Sequence, residues 1–437
     1  YKQILTMLGC ASAGAMAAIF KAPIAAIVFV LEVIMLNLTM SSLVPLLIAS
    51  VTASLTSYAF LGQNVLYSFT LKHQFDIGDV PFYIVLGLFT GFVSVYFTRM
   101  YMFIADRFAA IKSWQVKLIT GGALLGLMVF VLPALFGEGY SGINQALAGS
   151  YSYLFEGTLF SRISENAIVI ILVITFVILF KVIATSITFG SGGVGGIFAP
   201  TLFMGAHTGL LFAFVLSQFG IDLDSGSFVL VGMAGMIAGV IHAPLTAIFL
   251  IAELTGGYGL FMPLMITSTI SYATMRIFVT NSVYTYQLAH KGELITHDKD
   301  KAALSLMDVE SLVETNFSTV AADATLGDLV EIISESSRNV FPVIDSANNF
   351  LGIVWVNDIR HIVFKPELYD STFVRDLMFM PSPIVSPGES MEDVAYKFQT
   401  SSHYNLTVVD KGKYVGFVSR ANVFSKYRSM IKNFMEE

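Results

Sequence analysis

The sequence predicts an all-α polytopic membrane domain with an internal repeat and broken helices, followed by a smaller domain of paired α/β units. Three observations predict it. Of the charged residues, 20 fall in 1–290 and 35 in 291–437, so the first part has too little polar surface to fold as a water-soluble globule. Residues 1–290 contain repeated apolar stretches of membrane-spanning length. Each part also carries an internal repeat of its own period.

A helix crosses a hydrocarbon core of ~30 Å with about 20 mostly apolar residues. Uninterrupted spans are predicted at 43–61, 81–104, 116–136, 166–189, 198–219 and 260–279. The stretches 7–36 and 228–254 are equally apolar, but an Ala-Pro interrupts each. Proline removes a backbone hydrogen bond and clashes with the preceding turn, so each stretch is predicted to be two shorter helices. Such breaks survive at membrane depth only where protein or a water-filled path shelters the freed backbone.

The two broken stretches match at an offset of 221. Residues Gly14 to Ile27, through Lys21-Ala22-Pro23, parallel Gly235 to Ile248, through His242-Ala243-Pro244, and the match continues to Glu32 and Glu253. Paired broken helices in a repeat point to a transporter or channel with its site at the repeat interface. The residues leave the relative direction of the repeats open; an inverted arrangement is expected. Lys21 and His242, just before each break, are candidates to face an aqueous vestibule, where a cation attracts anions; Lys21 equally reads as reaching the interface.

Residues 291–306 read as a polar connector, and two α/β units follow at 307–366 and 374–432. The units match at an offset near 65: Thr325-Leu326-Gly327-Asp328 with Ser390-Met391-Glu392-Asp393, and Val343-Ile344-Asp345 with Val408-Val409-Asp410. Each is predicted as helix, strand, turn, strand, helix, with turns at Asn348-Asn349 and Lys411-Gly412-Lys413.

The densest glycine cluster is Gly190-Ser191-Gly192-Gly193-Val194-Gly195-Gly196-Ile197-Phe198-Ala199-Pro200. Its spacing satisfies G-x-G-x-x-G, but it follows a long apolar span instead of a short strand, and no acid stands nearby to hold a ribose. A phosphate loop lacks its Lys-Ser/Thr. Two readings remain. One is a close-packed helix junction. In the other, converging backbone N–H groups and the positive end of a helix starting near Phe198 hold a small anion by partial charges.

Taken together, Gly195-Gly196-Ile197-Phe198-Ala199-Pro200, the Ala-Pro helices ending at Glu32 and Glu253, and Ser282-Val283-Tyr284 resemble the CLC family of chloride channels and chloride/proton exchangers. Many members carry two cytoplasmic CBS domains after the membrane domain, so the resemblance covers the whole chain. It implies that Gly196, Ile197 and Phe198 bind the anion through their backbone, joined by the Tyr284 hydroxyl. From the residues alone, Tyr284 reads first as an interfacial tyrosine at the end of a membrane helix, and only the resemblance raises it to an anion ligand. The resemblance further implies a homodimer in a plasma or inner membrane, in contact with lipid, with the CBS pair in the cytoplasm.

Glu32, Val33 and Glu253 are the pathway and gating candidates. By alignment with the family, the internal proton-transfer glutamate of the exchangers falls at Val33, and valine carries no proton. Passive, channel-like movement of chloride is therefore the favoured expectation; a chloride/proton antiporter and a fluoride/proton exchanger are the alternatives within the family. Glu32 and Glu253, as repeat mates, are expected to accept bonds from free N–H groups at neighbouring helix starts instead of moving protons. Two family loops, Gly-Ser-Gly-x-Pro and Gly-Lys/Arg-Glu-Gly-Pro, precede the first Ala-Pro helix in the family. The chain is therefore expected to be part of a longer protein whose anion pathway they complete.

CBS domains often bind adenine nucleotides through Gly-x-x-Ser/Thr-x-x-Asp. Here the first copy keeps Asp358 but has Trp355 at the hydroxyl position, and the second keeps Ser419 but has Asn422 for the acid. An adenine nucleotide and a purely structural pair are equal expectations, and no cofactor is required. A net charge of −7 without a basic cluster argues against nucleic acid. Cys10 is the only cysteine, and no clustered Asp/His set suggests a metal site or an enzyme's triad. A CBS-containing cation transporter is the distant alternative; it calls for acidic pore residues, and 160–280 holds only Glu165, Asp222, Asp224 and Glu253.

Overall fold

The computed structural model describes residues 2–34, 40–62, 67, 75–158, 166–290, 304, 307–401 and 403–435. It divides into two compact units, Tyr1–Glu293 and Leu294–Glu437. The connector predicted at 291–306 lies, apart from Leu304, outside the described residues.

Among its described residues the first unit is helical: α1 (Lys2–Phe20), α2 (Pro23–Phe29) with a wider π turn at Val30–Ile34, α3 (Met40–Leu61), α4 (Val80–Ala109), α5 (Trp114–Val131), α6 (Tyr140–Leu147), α7 (Ala167–Gly190), α8 (Phe198–Gln218), α9 (Ser225–Ile241), α10 (Pro244–Leu254), α11 (Phe261–Phe278) and α12 (Val283–His290). Among the described residues, five helical segments are long and apolar enough to cross a membrane: Ser42–Leu61, Ile77–Ala109, Trp114–Val131, Ala167–Gly190 and Phe198–Gln218. The span expected at 260–279 is helical as α11 but falls outside those five. The span expected at 116–136 ends at Val131, because Pro133 cannot continue the helix and opens a short 3-10 turn, Pro133–Leu135.

Both Ala-Pro stretches break as expected, and they break identically. Lys21 and His242 adopt left-handed backbone, φ 55° and 61°. The alanines that follow are alike too, Ala22 at φ −122°, ψ 78° and Ala243 at φ −127°, ψ 71°. Ending α1 at Phe20 frees its last carbonyls. Hydroxyls of α3 take them: Ser54 Oγ donates to Ala17 O at 3.2 Å and Ser57 Oγ to Ala18 O at 2.7 Å. That is how an interrupted helix is satisfied away from water.

At the centre, α9 is buried from Gly226 to Ile241. It packs backbone to backbone on α8: a Cβ on Gly209 would lie 2.1 Å from Phe228 O, and one on Gly232 2.5 Å from Gly205 O. Small residues permit this approach, the usual device where helices pack inside lipid. Helix α11 is pinned on both sides, Thr267 Oγ1 donating to Tyr83 O at 2.9 Å and Ser271 Oγ to Gly235 O at 2.6 Å.

Among its described residues the second unit has two three-stranded sheets, β1 (Val313–Glu314), β6 (Lys413–Ser419) and β5 (Asn405–Asp410) in one, and β2 (Val320–Ala321), β3 (Val340–Ile344) and β4 (Phe350–Trp355) in the other. Its main helices are α13 (Leu326–Glu335) and α14 (Val356–Ile359) in the first copy, and α16 (Met391–Ser401) and α17 (Arg420–Met435) in the second, with α15 (Val374–Leu377) between them. The repeat holds in register, since β2 runs parallel to β3 at Val320 and Val385, 65 residues on, bridges in parallel to Val408. The predicted order appears in both copies, although the closing helix of the first is one turn long. The copies exchange edges: β1, at the start of the first, pairs with β6 of the second, and Phe379, near the start of the second, bridges to Ile353 of the first.

Candidate functional site

The glycine loop begins where α7 stops. Gly193 N donates to Thr188 O at 2.8 Å and Gly192 N to Phe189 O at 3.1 Å, with Gly192 at φ 99°. This paired closure ends a helix at a residue in left-handed conformation, where glycine carries no Cβ penalty. The chain then runs through Gly195 and Gly196, both exposed, to Ile197, which is 8% exposed, and α8 starts at Phe198.

The first bond of α8 runs from Thr201 N to Ile197 O at 3.1 Å. Among the described residues, neither the Ile197 nor the Phe198 N–H has an acceptor. These donors stand at the positive end of a 21-residue helix. The Phe198 ring packs on Phe20 at 5.2 Å and edge-on to Phe29 at 6.2 Å. The loop therefore meets α1 and α2, the broken pair of the other repeat.

Tyr284 lies in the first turn of α12, whose start is held by Ser282: its Oγ accepts from Thr285 N at 3.3 Å and its carbonyl from Tyr286 N at 2.9 Å. The Tyr284 side chain is 39% exposed. Its phenol is close enough to that of Tyr101 for the two to interact electrostatically. Tyr101 in turn meets Phe189 edge-on at 6.1 Å, and a Cβ on Gly195 would lie 3.3 Å from the Phe189 ring.

Glu253 and Glu32 are each held by the start of a helix in the opposite repeat. Glu253 accepts from Ile24 N at 3.1 Å and Ala25 N at 2.8 Å. Glu32 accepts from Leu245 N at 2.9 Å, Thr246 N at 2.7 Å and Thr246 Oγ1 at 2.6 Å. The start of each helix lies at the far end of the other, so α2 and α10 run antiparallel, as an inverted repeat requires. Val33 is half-buried and packs on the hydrophobic core.

Lys21 donates to Gly62 O at 2.6 Å, just past the end of α3, and lies over the Tyr58 ring. There its charge complements a helix C-terminus. His242 stands edge-on to Tyr272 at 5.6 Å, and its Nε2 has no partner among the described residues.

One polar cluster escaped the reading of the sequence. Lys181, 2% exposed within α7, donates to Leu135 O at 3.1 Å and Gly137 O at 2.8 Å and lies over the Phe203 ring. Beside it His207, fully buried, bonds Phe203 O through Nδ1 at 2.7 Å and Tyr153 through Nε2. A carbonyl only accepts, so Nδ1 carries the proton and Nε2 accepts from the tyrosine. A lone lysine in a 24-residue apolar helix was the available signal.

In the second unit Ser419 and Asn422 come together, Asn422 N donating to Ser419 Oγ at 3.1 Å. Both line a cavity of about 600 Å³ with Glu314, Thr315 and Asn316. Asp358 lies apart on α14, and Trp355 packs edge-on to Phe379 and His403. These residues do not fit a nucleotide's phosphates. The lining offers a carboxylate and no cation, and neighbouring Arg338 is committed to Glu314 at 2.9 Å.

A model of the voltage gated chloride channel family matches residues 2–276, more than half of the chain. The chain belongs to that family. CBS domain models match 309–365 and 374–429. The chain is 30% identical over 290 residues to a putative chloride channel protein ClcB-like of Ralstonia nicotianae, covering 66% of this chain and 63% of that one. It is likewise 30% identical over 295 residues to the H(+)/Cl(-) exchange transporter ClcA of Vibrio campbellii, covering 65% and 59%. It thus spans about three fifths of the length of these curated relatives. A crystal structure of a eukaryotic CLC transporter shares the fold, with TM-score 0.52 at 18% identity over 95% of this chain and 70% of that one. Membership makes the chain an integral membrane protein of a family of channels and transporters, with its CBS pair in the cytoplasm.

Proposed function

We propose that the protein moves chloride or a similar small anion across the membrane, through a site headed by the backbone N–H groups of Gly196, Ile197 and Phe198. The observation that carries this reading is the pair of unengaged amides at the head of α8, where the α7–α8 loop meets the broken helix of the opposite repeat. Partial charges of this kind replace the hydration of an anion without trapping it as a full lysine charge does. Tyr284 adds a hydroxyl from α12. The working unit, by analogy with the family, is a homodimer.

Passive conduction is the favoured mechanism. Val33 cannot carry a proton, and Glu32 beside it cannot take over. Its carboxylate is committed to three donors at the start of α10. Coupled exchange is the second reading, favoured by the likeness to a relative named as an H(+)/Cl(-) exchanger.

The test is a flux assay on the full-length protein in liposomes. Imposing a chloride gradient should drive chloride with no accompanying proton uptake. Uphill proton movement in fixed ratio to chloride would overturn the channel reading, and chloride impermeability would overturn anion transport itself.

A further inference from the structure

Between α4 and α11 lie two adjoining cavities that the proposed anion path does not use. One, about 490 Å³, is lined by Arg99 and otherwise by apolar and aromatic side chains, among them Phe92, Phe103 and Phe278. The other, about 470 Å³, shares Arg99, Phe103 and Phe278 and adds the polar groups of Thr98, Asp106 and Asn281. An apolar chamber and a polar chamber that share a wall suit an amphiphile. The three phenylalanines leave 54%, 55% and 46% of their surfaces exposed, so the groove opens outward to where lipid lies.

The depth is right for a headgroup. Residues 80–98 of α4 carry no charge, which at 1.5 Å per residue is about 28 Å of helix, close to the hydrocarbon thickness. Arg99 is therefore the residue at which α4 leaves the hydrocarbon. Over 99–117, Arg99, Arg107, Lys112 and Lys117 face only Asp106, the basic excess of a cytoplasmic membrane boundary. The contacts between α4 and α11 advance together, Gly87 against Ile270 and Gly91 against Thr274, so both helices end on this side.

Three polar groups here are unengaged. Thr98 is 1% exposed and its Oγ1 has no hydrogen-bond partner. Arg99 and Asp106 line the same cavity with opposite charges, yet make no ion pair with each other or with any described residue. A cation and a carboxylate held apart across one cavity complement a zwitterion. We infer that this groove binds a phospholipid with a zwitterionic primary-ammonium headgroup, a phosphatidylethanolamine. Arg99 takes its phosphate, Asp106 takes its ammonium, and an acyl chain lies along Phe92 and Phe103. Thr280 and Asn281, which also line the polar cavity, immediately precede Ser282 and Tyr284, so an occupied site would brace the start of α12.

The experiment is native mass spectrometry of the full-length protein released from nanodiscs of equal parts phosphatidylethanolamine, phosphatidylglycerol and phosphatidylcholine. The wild type should retain phosphatidylethanolamine over both others. Arg99→Gln should lower its retention about fivefold, and Asp106→Asn should abolish the preference over phosphatidylglycerol while phospholipid is still retained. Both side chains are exposed, so neither variant threatens the fold. Unchanged retention in Arg99→Gln, a wild-type preference for phosphatidylglycerol or phosphatidylcholine, or no retained lipid because another segment of the polypeptide fills the groove would each overturn the proposal.

Discussion

Glu32 and Glu253 each receive two backbone N–H groups from the helix that carries the other. The arrangement follows from the repeat. Each Ala-Pro break starts a helix whose first donors have no acceptor, and each helix ends nine residues after its proline in a carboxylate. Laid antiparallel, the two satisfy one another.

Replacing either glutamate by alanine should destabilise the membrane unit by about 1–3 kcal/mol, the cost of leaving part-buried donors without a charged acceptor. Glutamine, which keeps one carbonyl oxygen, should cost less. The check is thermal unfolding of the full-length protein in detergent. Because the two sites cap one helix pair, the double variant should fall short of the sum of the singles.

Tyr153→Phe should lower stability by about 1–3 kcal/mol, since it leaves the buried Nε2 of His207 with no donor. Thermal unfolding reads this directly. A variant as stable as the wild type would show that the Tyr153 hydroxyl contributes nothing to holding α8.

Much of this was legible in the residues. The Ala-Pro breaks, the offsets of 221 and 65 and the glycine loop are local patterns, and local chemistry determines them. Partners contributed by distant chain were not legible. Lys181 became interpretable only once Leu135 O and Gly137 O were brought to it, and the exchange of β1 onto β6 joins residues about a hundred apart. The span expected at 116–136 ran too far because apolar composition continues through Pro133 while helical backbone does not.

The second unit should lose stability in acid. Asp328 accepts from Thr325 N and Thr325 Oγ1, each at 2.8 Å, and these bonds hold its carboxyl below the usual range. Asp345 is held low by Asn349, through Nδ2 at 2.7 Å and N at 2.8 Å. A depressed carboxyl contributes fully above the unfolded value, about 3.9, and its contribution is lost as pH falls through the lower folded value. Hydrogen exchange at 325–330 and 345–350 should therefore quicken only below about pH 4, and Asp328→Asn should bring fast exchange to the first segment at neutral pH.

Adenosine triphosphate at millimolar concentration should leave the unfolding temperature of the full-length protein unchanged, because the cavity at Ser419 and Asn422 presents Glu314 and no cation to the phosphates. A saturable rise would show that the pair binds nucleotide despite that lining.

The account rests on the head of α8, and bromide tests it most directly. Bromide stands in for chloride and scatters anomalously, so crystals of the full-length protein grown with it should show an anomalous peak within hydrogen-bonding reach of the Ile197 and Phe198 amides. A map in which those two N–H groups bond to carbonyl oxygens, with bromide bound elsewhere, would contradict it.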